Sequence, residues 1–200
     1  MNTHSGLIAL SLRYATIRRA VLCATLAAIS GITISACTST PRTGIGPGER
    51  APEISGTDSK GNTSNLHDVR GKKLTLVNFW ATWCGPCIQE LPALQALHDA
   101  MSAEGVQVVG IVLDDSPESV AEFTDKFKLS YPMIFDSEGA SKRSYEINGL
   151  PESFVIDGEG KVVMLPDPGS GQPVTKLIGP RSWESKEVQS LFRSLLKQKE

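Results

Sequence analysis

The sequence predicts an α/β domain with a mainly parallel central sheet, made mixed by antiparallel strands, and helices on both faces. Three observations carry this expectation. Apolar, strand-like runs alternate with stretches of helical spacing along most of the chain. Two cysteines, Cys84 and Cys87, stand between a run that is apolar at nearly every position, Leu74 to Trp80, and a run with helical periodicity, so they fall at a strand-to-helix junction. Pro151 directly precedes a late β-rich run, which the turn signal Asp157-Gly158-Glu159-Gly160 then reverses.

In a chain of 200 residues, 40% apolar and 21% charged, there is enough material for one globular core plus an extension. The extension is at the front. Arg13, Arg18 and Arg19 precede an uncharged stretch from Ala20 to Ala36, and no acidic residue occurs before Glu49, a pattern read as an exported signal over residues 1–36. Residues 37–52 are rich in Thr, Ser, Pro and Gly and read as a flexible tether, which leaves 53–200 for the domain.

Ile54 to Leu66 holds the turn residues Asp58 to Asn62 between two short β-compatible pieces, a hairpin. Leu74 to Trp80 reads as a strand covered on both faces. The helix after Cys84 presents Ile88, Leu91, Leu94, Leu97 and Met101 as one stripe, with Pro86 in its first turn and Pro92 as a bend inside it. Val106 to Leu113 is a second buried strand, Pro117 opens a helix, and Pro132 to Asp136 is a third strand. Ala140 to Ile147 reads as a short helix and Pro166 to Pro173 as an exposed loop. Val174 to Ile178 resumes strand pairing, and Trp183 to Lys197 closes the chain as a helix.

The cysteine pair carries the chemistry. Residues three apart on a first helical turn are neighbours, so their sulfurs can bond without moving the backbone. The unpaired N–H groups and positive dipole end of that turn favour thiolate at Cys84, the expected exposed nucleophile, with Cys87 the more buried resolving thiol. A Cys-x-x-Cys pair can also be half of a zinc site or a static bridge. Zinc needs four ligands, and His4, His67 and His98 are scattered, so no metal is expected. The redox couple itself needs no cofactor. Three of the 20 basic residues lie in the first 36, and all 22 acidic ones come later. The remainder carries 17 basic against 22 acidic residues, a balance that argues against nucleic acid as a partner.

Ile34-Ser35-Ala36-Cys37 resembles the bacterial lipoprotein processing box, which implies cleavage before Cys37 and a diacylglycerol on its sulfur. Cys23 would then leave with the signal, so Cys84 and Cys87 have only each other to pair with. Phe79 to Cys87, the Glu90-Leu91-Pro92 continuation and the Gly149-Leu150-Pro151 to Asp157 segment closely resemble the TlpA and ResA-like branch of the thioredoxin superfamily. That resemblance implies a thioredoxin-like fold with a strand-helix-strand insertion at about Val106 to Asp136. It implies a cis-proline at Pro151, beside the cysteines, with the Leu150 backbone free to pair with a substrate strand. Glu90 matches the acidic residue this branch places near the cysteines, and Asn78 replaces the buried aspartate of cytoplasmic thioredoxin. Trp83, Gly85 and Pro86 complete the implied substrate surface, with Trp80 assigned to the core.

By the same resemblance the chain is a monomeric thiol-disulfide oxidoreductase on the extracytoplasmic side of a bacterial membrane. It would reduce disulfides of partner proteins, apocytochrome c among them as in cytochrome c maturation, and be reset by a membrane electron donor of the CcdA or DsbD type. Two alternatives stand beside this reading. One is a thiol peroxidase-like enzyme, although peroxiredoxins use Thr-x-x-Cys where this chain has Cys84-x-x-Cys87. The other is a non-catalytic thioredoxin-fold binding lipoprotein.

Overall fold

A computed structural model describes residues 45–198. The signal segment, Cys37 and the first part of the tether lie outside the described residues. The rest of the tether, 45–52, is not a free linker. Gly48 N–H donates to Val162 O at 2.8 Å, Ala51 N–H to Gly160 O at 2.9 Å, and Val162 N–H returns to Glu49 O at 2.9 Å, while Ile45 and Ala51 pack against the core. Backbone groups can pair whatever side chains they carry, so a composition poor in apolar residues did not reveal this docking.

The hairpin is β1 (Ser55–Thr57) and β2 (Thr63–Asn65), joined by a turn in which Asp58 Oδ1 accepts from the N–H of Lys60 and of Asn62. A one-turn helix α1 (Leu66–Val69) leads to β3 (Leu74–Trp80), buried along its whole length. Helix α2 (Gly85–Met101) follows, then β4 (Val106–Leu113), α3 (Pro117–Phe127), β5 (Met133–Asp136) and α4 (Ala140–Ser144). The chain ends with β6 (Glu152–Asp157), a small pair β7 (Leu165–Pro166) and β8 (Pro173–Val174), β9 (Lys176–Ile178), and α5 (Lys186–Lys197).

Seven of these strands form one sheet in the order β2-β1-β5-β4-β3-β6-β9. The parallel part is narrower than expected: β3 with β4 and β4 with β5 are parallel, and β6 runs antiparallel directly beside β3. The run after Pro151 is therefore itself an antiparallel strand beside the central β3, rather than part of an added edge. The stretch expected as a bare loop is a hairpin, with Leu165 opposite Val174 and Pro166 opposite Pro173. Its composition marks turn residues and is silent on pairing.

Strand alternation assigns the two faces. Leu74, Leu76 and Trp80 of β3 face one core cluster, which α2 fills with Cys87, Leu91, Leu94, Leu97 and Met101 and α5 closes with Val188, Phe192, Leu195 and Leu196. Val77 and Phe79 face the other, against Tyr145 and Ile147. The same alternation turns Asn78, between Leu76 and Trp80, toward α2. That parity sets a polar side chain of the central strand beneath the helix bearing the cysteines.

Candidate active site

Helix α2 begins where β3 runs out, after the turn Ala81 to Cys84. Cys84 caps it: the residue has extended backbone angles and its Sγ accepts the N–H of Cys87 at 3.2 Å, which meets one of the orphan donors of the first turn. Pro86 sits in that turn, where a missing N–H costs nothing. The helix then runs unbroken past Pro92. Cys84 and Cys87 are joined as a disulfide with their Cα atoms 5.3 Å apart, inside the range a disulfide spans.

The expected exposed nucleophile is more covered than its position suggested. Cys84 is only 6% exposed, because its sulfur points back over the helix end toward Cys87, which is wholly buried. The ranking of the two sulfurs still holds. What lies open is the rim: Trp83 is 63% exposed, and Gly85 and Pro86 are exposed beside it, whereas Trp80 is fully buried. A second anchor fixes the rim from the β4–α3 turn. Asp115 accepts the Thr82 N–H at 2.6 Å and the Thr82 hydroxyl at 2.8 Å, holding the backbone that leads into Trp83 and Cys84.

Glu90 lies one helical turn beyond Cys87 and points into the protein, 3% exposed. It is not a solvated helix residue. Its Oε1 accepts from Asn78 Nδ2 at 2.8 Å, and its Oε2 accepts from the Arg181 backbone N–H at 3.2 Å and the Trp183 indole N–H at 3.1 Å. Asn78 Nδ2 also donates to Ser153 Oγ at 3.0 Å, so β3, α2 and the segment before α5 meet at one carboxyl group and β6 joins it through Asn78. Burial pushes the Glu90 carboxyl above its ordinary value, opposed by hydrogen bonds from Asn78, Trp183 and Arg181 and by the Arg181 charge. Tyr131 is raised by its own burial and further by the Glu90 charge.

The Leu150–Pro151 peptide bond is cis, as the resemblance implied. Since β6 pairs with β3 with Glu152 opposite Phe79, Pro151 comes level with the end of β3, where the chain turns toward Cys84. Gly179 N–H donates to the Pro151 carbonyl at 2.9 Å, and among the described residues the N–H and C=O of Leu150 have no backbone partner. The loop before the proline is latched by Glu152. Its Oε1 accepts from the N–H of Asn148 and Gly149, and its Oε2 pairs with Lys176 at 2.9 Å.

Arg181, Trp183, Ser153, Asp115 and Glu152 were not among the residues the sequence singled out for the site. The sequence reads as helix from Trp183, but the closing helix starts three residues later, at Lys186, which leaves Trp183 in the segment before it. The polar Asn78, in a strand whose other polar residue, Thr75, is met by the nearby Gly71 N–H, is the signal that something has to meet it from across the core. Among the described residues no cluster of His, Cys, Asp and Glu could hold a metal ion.

A disulfide laid over the first turn of a helix, at the end of a central strand and level with a cis-proline, on this mixed sheet defines a thiol-disulfide oxidoreductase of the thioredoxin fold. A model of the AhpC/TSA family matches residues 47–164. The chain is 36% identical over 148 residues to thiol-disulfide oxidoreductase ResA of Geobacillus kaustophilus, an alignment covering 74% of this chain and 84% of that protein. It is 31% identical over 149 residues to ResA of Bacillus subtilis, covering 74% and 82%. Among solved structures, the thioredoxin domain of a Bacteroides vulgatus thiol-disulfide oxidoreductase superposes with a TM-score of 0.59 at 26% identity, covering 74% of this chain and 99% of that one. A thiol:disulfide interchange protein of Chlorobium tepidum does so with a TM-score of 0.57 at 26% identity, covering 76% and 96%. The chain belongs to the AhpC/TSA family of thioredoxin-fold proteins, and within it to the ResA-like thiol-disulfide oxidoreductases.

Proposed function

We propose that this enzyme reduces disulfides of partner proteins in the bacterial cell envelope, with apocytochrome c before haem attachment as a substrate. The observation that carries the proposal is the Cys84–Cys87 bond at a helix N-terminus, with its more open sulfur beside an exposed aromatic rim. In the reduced enzyme the Cys84 thiolate attacks one sulfur of the partner disulfide. A mixed disulfide forms and the partner's other sulfur leaves as thiolate. Cys87 then loses its proton to Glu90 and attacks the Cys84 sulfur. The mixed disulfide breaks, the partner's two thiolates take up the proton held on Glu90 and the one Cys84 had lost to solvent, and the enzyme keeps the Cys84–Cys87 bond.

The first-turn N–H groups and helix dipole favour the Cys84 thiolate. Glu90, held above the ordinary carboxylate range by burial, accepts a proton near neutral pH more readily than an exposed carboxylate would. Trp83, Gly85 and Pro86 present the surface a substrate meets, and the unpaired Leu150 backbone accepts an extended strand of it. No cofactor takes part. A membrane dithiol donor of the CcdA or DsbD type returns the two electrons, and acylated Cys37 keeps the monomeric domain at the membrane.

Turnover tests this directly. Reduced enzyme is mixed with an oxidised apocytochrome c peptide and, separately, with hydrogen peroxide. The parent reduces the peptide and Cys84→Ser does not. Equal activity in Cys84→Ser would remove the exchange mechanism, and peroxide consumption without a protein thiol partner would favour the peroxidase alternative.

A further inference from the structure

The β7–β8 hairpin reaches the buried carboxylate through one side chain. Its turn is built on Asp167, whose Oδ1 accepts the N–H of Gly169 at 2.8 Å and of Ser170 at 2.9 Å. The Asp167 N–H donates to Gln172 O, and its C=O accepts from Gly171. The remaining oxygen, Oδ2, pairs with Arg181 Nη2, and both side chains are only 15% exposed. Arg181 in turn gives its backbone N–H to Glu90 Oε2, and Trp183, two residues further on, gives its indole N–H to the same oxygen. A turn with five ordered partners therefore stands one residue away from the group that fixes Glu90.

We propose that Asp167 and Arg181 are positioning residues for Glu90, the hairpin serving as an outer arm that holds the Arg181 guanidinium against Asp167 while the Arg181 backbone N–H holds the buried carboxylate. The inference rests on the reading that Glu90 moves the Cys87 proton, and it adds how that carboxyl group is tuned. Two opposed influences act there. Burial favours the neutral acid, while the hydrogen bonds from Asn78, Trp183 and the Arg181 N–H, and after them the Arg181 charge, favour the ion. Asp167 balances that charge, so the hairpin limits how far Arg181 can pull Glu90 toward ionisation. Among the described residues Tyr131 is the other titratable group that the Glu90 charge acts on, and Cys87, one turn away, is held in the disulfide and does not titrate in the oxidised enzyme.

The test measures the Glu90 titration midpoint in the oxidised enzyme by carboxyl carbon NMR, with Glu90→Gln identifying the signal. Arg181→Met keeps the backbone N–H and removes the charge, so the midpoint rises. Arg181→Lys keeps the charge, so the midpoint stays near that of the parent. Asp167→Asn frees the guanidinium of its counter-charge, so the midpoint falls, and in an Arg181→Met background it has no effect. A rise of equal size in Asp167→Asn, Arg181→Lys and Arg181→Met would overturn the proposal, since it would mean that the hairpin only holds the backbone in place. Because the midpoint is read without turnover, the functional reading fails separately, if Glu90→Gln resolves mixed disulfides at the parent rate.

Discussion

At the scale of residues, Cys84, Cys87 and Glu90 divide the work by burial. Cys84, 6% exposed, is the less buried of the two sulfurs and in the proposed mechanism the one a partner meets, Cys87 is sealed behind it, and Glu90 is placed one turn deeper with three donors on its carboxylate. Glu90→Gln therefore leaves formation of the mixed disulfide intact and slows its resolution by about a hundredfold, the lower end of what a positioned acid–base group supplies. Stopped-flow quenching with an alkylating agent separates the two steps. Asn78 is the second informative position, because it donates to Glu90 Oε1 at 2.8 Å where cytoplasmic thioredoxin carries an acid. Asn78→Asp places two carboxyl groups in one buried site, and both cannot ionise together at that distance. The pair then titrates with one midpoint above that of Glu90 in the parent, as carboxyl NMR detects.

The elements differ in how plainly the sequence announced them. Strands β3 and β4 have the expected bounds, because a fully apolar run closed by turn residues has one reading when it lies under helices. The leucine stripe of α2 was equally plain, and it is what seats the cysteines: Leu94→Ala costs about 2 to 5 kcal/mol, the range for a fully buried leucine, and denaturant unfolding measures it. Contacts made by backbone or by lone polar groups were not legible. The strap at 45–52 and the β7–β8 pair depend on main-chain hydrogen bonds that any residues can make. The Thr82–Asp115 anchor joins residues 33 apart in the chain, with no periodicity to mark them. Asp115→Ala leaves the Thr82 N–H without its partner at a cost of about 1 to 3 kcal/mol, and faster amide hydrogen exchange at Thr82 is the expected local sign. The cysteine pair itself was legible, since its chemistry depends on spacing and on the strand before it. Its tuning was not, because Arg181 and Trp183 reach Glu90 from 91 and 93 residues away.

Across the whole molecule, the buried acid couples the site to stability. Folding raises the Glu90 carboxyl above its ordinary value of 4.5, so the native state holds that proton more tightly than the unfolded chain does. Its contribution to stability is fully present below the unfolded value and is lost as pH rises through the folded one. Relative to Glu90→Gln, which cannot ionise, the parent loses stability on going from about pH 4 to about pH 8, and unfolding curves at the two pH values give that difference with other groups cancelling. The same fold holds two sulfurs on a helix end while the sheet beneath remains closed, which is what a carrier of electron pairs requires. Trapping in Cys87→Ser is the most direct measurement of that claim. Reduced Cys87→Ser mixed with an oxidised protein substrate forms a covalent complex through Cys84, seen by mass spectrometry, released by dithiothreitol and missing from the Cys84→Ser/Cys87→Ser control. No complex, or the same complex in that control, would contradict the account.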